Sequence, residues 1–181
     1  MEQIKKDLII IGKWSSLYLQ GNSDFLNENV KKSIDSYLNK NLKQGLFVTG
    51  QLGTGKSTLI GLIAIWKRLN LMQLIYYTTA STLFDLLIKS EDNNIRYKQF
   101  LCIDDLGRQY NTEYGVSKFN ELIEYRYSNN LTTFLTSNLS VEDLKKTAGF
   151  ERLSDILSDK KFIYEFNLLG NSKRQTTINN K

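Results

Sequence analysis

The run Gly50-Gln-Leu-Gly53-Thr54-Gly55-Lys56-Ser57-Thr58 combines the residue types and the spacing needed to hold a phosphate chain. From Gly50 to Ser57 it reads G-x-x-x-x-G-K-[ST], the P-loop pattern. Glycines permit positive φ and let the backbone approach a phosphate closely. Successive amide N–H groups then form an anion-binding nest, completed by the positive end of the helix dipole that follows. Lys56 would reach the β- and γ-phosphates of a triphosphate, and the Ser57 hydroxyl would bind Mg²⁺. A chance glycine turn before an amphipathic helix could share this composition. Here an apolar strand, Leu46 to Val48, leads in and an apolar run, Leu59 to Leu69, leads out, which is the context the motif demands.

A second stretch carries acids. Phe100-Leu-Cys-Ile103-Asp104-Asp105 is an apolar strand that delivers two carboxylates at its C-terminal end. Ligands of open α/β sheets sit beyond the carboxyl ends of the strands, so these acids should fall beside the glycine loop. Asp104 suits Mg²⁺ coordination through water, and Asp105 suits orientation and deprotonation of an attacking water. Asp-Asp-Leu-Gly is also a good turn and helix cap, so the signal gains its weight from following a P-loop. Thr133-Phe-Leu-Thr-Ser-Asn138 is a further strand, and an amide at its end could bond both the water and the γ-phosphate. An asparagine there is otherwise a common turn residue.

The remaining composition narrows the chemistry. The chain has 181 residues, the length of one domain with a real core. It has no histidine and one cysteine, which excludes a disulfide framework, a zinc site and histidine-based acid–base catalysis. A net charge of +5 is compatible with a nucleic-acid partner without requiring one. No apolar run reaches the roughly 18 residues of a membrane span, and the N-terminus lacks the apolar core of a signal peptide, so a cytoplasmic location is expected.

The elements that must position these residues can be read in order. Residues 1–26 form a short N-terminal extension, 27–170 the core and 171–181 a polar, basic tail. Asn27 to Leu38 fits a helix with Val30, Ile34 and Leu38 on one stripe. Strand 46–49, the loop and helix 56–69 follow. Leu74 to Thr78 is a second strand, and Thr79 or Ser81 caps a helix through Ile88. Ser90 to Tyr97 reads as polar connection. After the acidic strand come a helix over Gly115 to Tyr127, the strand to Asn138, capped helices at Ser140–Lys146 and Phe150–Leu157, and a fifth strand at Phe162–Phe166. Strands alternating with helices predict a five-stranded parallel sheet with helices on both faces.

Taken together, these motifs resemble a known family. A P-loop, Ile-Asp-Asp-Leu-Gly, Tyr125-Arg126-Tyr127 with Leu131 to Asn138, Glu151-Arg-Leu and Gly170-Asn-Ser-Lys-Arg174 follow the order seen in the AAA+ ATPase domain of DnaC/DnaI-type replicative helicase loaders and of the related IstB-like transposition helpers. The resemblance covers residues 27–175 and implies a P-loop NTPase of the AAA+ core type without a C-terminal helical lid. It matches Gly50, Gly53, Thr54, Gly55, Lys56, Ser57 and Thr58 to Walker A, Asp104 and Asp105 to Walker B, and Asn138 to sensor 1. Arg152 takes the position of the arginine finger, a residue commonly supplied by a neighbouring subunit. A surface arginine paired with Asp155 at i+3 is the alternative for Arg152. Arg174 falls where the family places a closing basic residue, a phosphate or DNA contact, or else in a solvated tail.

The implied function is ATP-dependent loading or remodelling of a DnaB-type replicative helicase in DNA replication, with ATP and Mg²⁺ as cofactors. Single-stranded DNA and an ATP-dependent homo-oligomer would be its further partners. Asp105 stands where many AAA+ enzymes have glutamate, so slow, partner- or DNA-stimulated hydrolysis is expected. A transposition helper with a transposase as partner shares the same core. A small P-loop nucleotide kinase or a module that uses ATP as a static switch are more distant readings; no arginine-rich lid segment supports the kinase.

Overall fold

Which helix covers which face of the sheet is decided by the alternation of side chains along the strands. The computed structural model describes residues 37–38, 44–71, 75–92, 94–107 and 112–168. Its strands are β1 (Gly45–Gly50), β2 (Tyr76–Thr79), β3 (Phe100–Leu106), β4 (Thr132–Ser137) and β5 (Ile163–Leu168). Its helices are α1 (Lys56–Leu71), α2 (Ala80–Ile88), α3 (Glu113–Ser128), α4 (Val141–Lys146) and α5 (Glu151–Ser158), with a 3₁₀ turn at Ile95–Tyr97. The strands pair in the order β2-β3-β4-β1-β5, all parallel. The five-stranded parallel sheet expected from the sequence is therefore observed.

Leu46 and Val48 of β1, Phe100 and Cys102 of β3 and Phe134 of β4 point to one side, where they pack with Leu59, Ile60, Ile63 and Ala64 of α1 and with Tyr37. Phe47, Leu101, Ile103 and Leu135 point to the other side, into a core built with α2, α3 and α5. Helix faces follow from spacing: Ala80, Leu83, Phe84 and Leu87 of α2 are buried at intervals of three and four. Starts follow from caps. Thr79 accepts from Thr82 N, Thr112 from Gly115 N, and Ser140 forms a capping box with Asp143.

Boundaries differ from the sequence reading by a residue or two, with one larger departure. The connection Ser90–Tyr97 contains the 3₁₀ turn, and Ile95 buries in the core there. The fifth strand begins at Ile163 and runs on to Leu168, because it pairs with β1 as far as Gly50. Of the helix expected over Asn27 to Leu38, only Tyr37 and Leu38 lie within the described residues, and both are helical.

Among the described residues two cations are fully buried in this frame. Arg126, fully buried at the end of α3, donates Nε to Thr133 Oγ1 at 2.8 Å and Nη2 to the Thr132 carbonyl at 2.6 Å. Its Nη1 donates to the carbonyls of Lys98 at 2.7 Å and Arg96 at 3.2 Å. One guanidinium thus ties the start of β4 to the chain entering β3. Burial lowers its pKa to about 10, so it stays protonated at neutral pH. Arg126→Leu strips these carbonyls of a charged donor and is expected to cost about 3–5 kcal/mol. Thermal unfolding followed by circular dichroism should then shift down by roughly 6–20 °C; an unchanged transition would contradict the role.

Lys67 of α1 is also fully buried, its ammonium 4.9 Å from the ring centroid of Phe100, 5.7 Å from that of Phe134 and 6.0 Å from that of Tyr37. Desolvation lowers its pKa from 10.5 to about 8. Between those values the unfolded chain holds a proton that the folded chain has released, so stability gains with rising pH. Denaturant titrations from pH 8 to pH 10 should show wild type gaining stability relative to Lys67→Met. Parallel pH profiles for the two proteins would rule this out.

Candidate functional site: a phosphate loop facing two carboxylates

β1 ends at Gly50 and α1 begins at Lys56, so the loop between them sits on the carboxyl edge of the sheet at the helix N-terminus. Gly50, Gly53 and Gly55 have φ of 144°, 83° and 95°. At Gly50 the requirement is also spatial: an added Cβ would lie 2.6 Å from the Leu168 carbonyl oxygen. Thr54 braces the turn, its hydroxyl donating to the Gln51 carbonyl at 2.9 Å. Lys56, almost completely buried, folds back over the loop and donates to the carbonyls of Gly50 at 2.8 Å and Gln51 at 3.0 Å. Its third contact is Asn138 Oδ1, 2.7 Å away at the end of β4.

The strand order explains how Asn138 reaches Lys56. β4 lies between β1 and β3, so its end stands between the loop and the acids. Asn138 Nδ2 donates onward to Asp105 Oδ1 at 3.3 Å. Lys56, Asn138 and Asp105 form one continuous polar chain, in an arrangement able to bring a cation, an amide and a carboxylate to bear on a terminal phosphate.

The two acids diverge. Asp104 is buried and accepts from Ser57 Oγ at 2.9 Å, from Thr136 Oγ1, and from the Tyr77 phenol at 2.7 Å. Asp105 is half-buried and has φ of 60°, the left-handed region. A bulge causes this: Ile103 pairs with Leu135 and Leu106 with Ser137, so Asp104 and Asp105 together face Thr136 alone. The Asp105 N–H donates to Thr136 Oγ1 at 2.8 Å, which closes the bulge. Nearby Cys102 is buried, its thiol pushed well up first by burial and then by the Asp104 charge, so it behaves as an inert core group.

Among the described residues no cluster of three or more His, Cys, Asp or Glu could hold a metal by protein ligands alone. The adjacent Ser57 Oγ and Asp104 Oδ1 are hard oxygen donors of the kind that fit Mg²⁺, which keeps waters and takes phosphate oxygens rather than a full protein cage. Thr58 follows Ser57 in the first turn of α1.

Arg152 lies apart from this cluster. On the first turn of α5 it pairs through Nε with Glu124 of α3 at 2.7 Å and stands 6.0 Å from the Tyr127 ring centroid. The alternative pairing with Asp155 is thus replaced by a partner on another helix, one that i+3 spacing could not reveal. Arg174 lies outside the described residues. Tyr77 and the role of Thr136 were missed by sequence reasoning. Tyr77 sat in a run read only as a strand, and Thr136 in a triplet singled out for its asparagine.

A glycine loop after β1, acids at the end of β3 and a polar strand between them define a P-loop NTPase fold of the AAA+ type. Comparison with known proteins agrees. The chain is 30% identical over 129 residues to the replicative helicase loader DnaC of Buchnera aphidicola subsp. Baizongia pistaciae (strain Bp). That match covers 65% of this chain and 51% of the relative, so the chain spans about half the length of the curated relative it matches. Among solved structures, that of the DnaC helicase loader superposes with a TM-score of 0.70 at 20% identity, over 86% of this chain and 100% of that one. The DnaI crystal structure gives 0.69 at 20% identity, over 89% and 94%. Replication initiator DnaA bound to AMPPCP and single-stranded DNA gives 0.62 at 19% identity, over 88% and 52%. No protein-family model matches the chain. The fold is the AAA+ fold of the DnaC type. No described helix is long and apolar enough to cross a membrane.

Gly50→Ala tests the loop. The forced positive φ and the contact with the Leu168 carbonyl should cost about 1–3 kcal/mol. A melting temperature lowered by roughly 2–12 °C is expected; wild-type stability in this variant would show that the loop tolerates a side chain.

Proposed function

We propose that this chain is an ATP-dependent helicase loader of DNA replication, binding ATP with Mg²⁺ at the loop after β1. The observation that carries the reading is the polar chain Lys56–Asn138–Asp105 beside the Ser57–Asp104 contact. It gathers on one sheet edge a phosphate cation, a γ-phosphate amide, a candidate base and a pair of magnesium-type oxygens. Similarity to a replicative helicase loader supports the biological setting.

The residues divide the work. Backbone amides from Gly50 to Lys56 hold the phosphates, with Gly53 and Gly55 allowing the close approach and Thr54 and Thr58 flanking it. Lys56 exchanges its loop carbonyls for β- and γ-phosphate oxygens. Ser57 and Asp104 would hold Mg²⁺, which when bound neutralises phosphate charge. Asp105 orients the attacking water and accepts its proton, and Asn138 fixes the water and the γ-phosphate relative to each other. Arg152 of a neighbouring copy stabilises the charge on the transferring phosphoryl group, a contribution of about 10³–10⁵-fold in well-studied enzymes. Hydrolysis is consequently slow in the isolated chain and faster in an oligomer on single-stranded DNA. The closing arginine, Arg174, would add a phosphate or DNA contact. The partner is a DnaB-type helicase, and the location cytoplasmic.

Titration with a fluorescent ATP analogue and magnesium tests the nucleotide site. Wild type should bind, and Lys56→Ala should bind at least about tenfold more weakly, the loss of one charge-assisted phosphate contact of roughly 1.5–3 kcal/mol. Equal affinities would sink the assignment. Co-purification with a replicative helicase, with ATP and without, then separates a loader from a helper of transposition; capture of a transposase instead would favour the latter.

A further inference from the structure

Tyr77 has a ring that a phenylalanine could replace and a hydroxyl that it could not. The ring packs in the core under α1 with Ile75, Phe100 and Cys102. The hydroxyl donates to Asp104 Oδ2 at 2.7 Å, in a place where Tyr77 is only 6% and Asp104 only 4% exposed. β2 flanks β3 on one side and β4 on the other, with Thr79 paired to Asp104 in register. The carboxylate is consequently gripped from both neighbouring strands: Tyr77 of β2 holds Oδ2, while Thr136 of β4 and Ser57 of α1 hold Oδ1.

We propose that Tyr77 is a positioning residue of the nucleotide site, its phenol fixing the rotation of the Asp104 carboxylate so that Oδ1 faces Ser57 and the magnesium position. The proposal rests on the nucleotide-binding reading above. An aspartate buried to its carboxylate keeps one soft torsion, the rotation that exchanges its two oxygens. Thr136 and Ser57 both hold Oδ1 and Tyr77 holds Oδ2, so the rotation is restrained from both ends of the carboxylate and loosens when the Oδ2 bond is lost. Groups that orient a metal-side ligand in this manner typically contribute 10–100-fold to metal affinity or activity.

Tyr77→Phe keeps the ring and removes one oxygen. Binding of a fluorescent ATP analogue is measured across a magnesium titration and again in EDTA, with folding checked by circular dichroism. The expected result is a half-saturating magnesium concentration raised roughly tenfold or more, with magnesium-free binding changed by less than about twofold. A merely structural tyrosine would move both or neither. If the phenylalanine variant does not fold, the same titration on Tyr77→Leu decides, since it too removes the hydroxyl that holds Oδ2 and leaves Thr136 and Ser57 in place. A magnesium requirement within about twofold of wild type in the folded variant overturns the proposal. Wild type that binds no nucleotide at any magnesium concentration overturns the nucleotide reading and this one with it; wild-type binding with an unshifted variant removes only the positioning role.

Discussion

Two consecutive carboxylates on one strand cannot serve one site unless the strand breaks its own rule. Regular alternation sends neighbouring side chains to opposite faces of the sheet. Here the break is a bulge in which Asp104 and Asp105 share a single opposite residue, Thr136. Asp105 adopts φ of 60°, a conformation that costs most residues about 1–2 kcal/mol and that aspartate tolerates better than most. Thr136 sustains the distortion from both ends, accepting from the Asp105 amide and donating to the Asp104 carboxylate. The buried acid is thereby turned toward Ser57 and the half-buried one toward Asn138. Without this kink one of the two would point away from the loop.

Charge burial at the two ends of the sheet obeys the same logic with opposite sign. At the carboxyl edge a carboxylate is surrounded by neutral hydroxyls from Ser57, Tyr77 and Thr136. At the amino edge a guanidinium is surrounded by neutral carbonyls of Arg96, Lys98 and Thr132 and the Thr133 hydroxyl. Neither ion is compensated by a close opposite charge in these contacts. Each replaces its hydration with several hydrogen bonds, which is the condition under which an ion can be buried at all. The arrangement at Arg126 ties the start of β4 to the chain entering β3, while that at Asp104 sets a carboxylate among hydroxyls beside Ser57.

The same distinction explains what could be read in the sequence. The loop was legible because a phosphate nest is a local object, set by residues from Gly50 to Ser57 and by the strand and helix on either side. The sheet was legible because apolar runs alternated with amphipathic ones. Asn138 was reachable once a strand was recognised beneath it, since strand ends converge on one edge. Tyr77 was not legible: its role depends on β2 pairing beside β3, a long-range fact that no local pattern encodes. Arg126 appeared only as part of Tyr-Arg-Tyr and gave no sign that it would be fully buried, because its acceptors lie on two other segments. For Arg152, spacing offered Asp155, whereas helix packing supplied Glu124.

That last pairing bears on how an arginine of this kind could act between subunits. Arg152 is held by one ion pair at the surface, both side chains substantially exposed, and by its place over the Tyr127 ring. Ion pairs of this sort contribute little, since solvent screens them and both side chains surrender rotamer freedom. The Glu124 contact raises the guanidinium's proton affinity, and an arginine turned away from it stays charged through its own basicity. It follows that redirecting Arg152 toward a phosphate of an adjacent copy would sacrifice only a weak interaction. Arg126 could not move in that way without leaving several buried carbonyls unpaired. Two arginines on packed helices thus separate by burial: Arg126 is held among buried acceptors, whereas Arg152 is held at the surface by a weak, exposed pair.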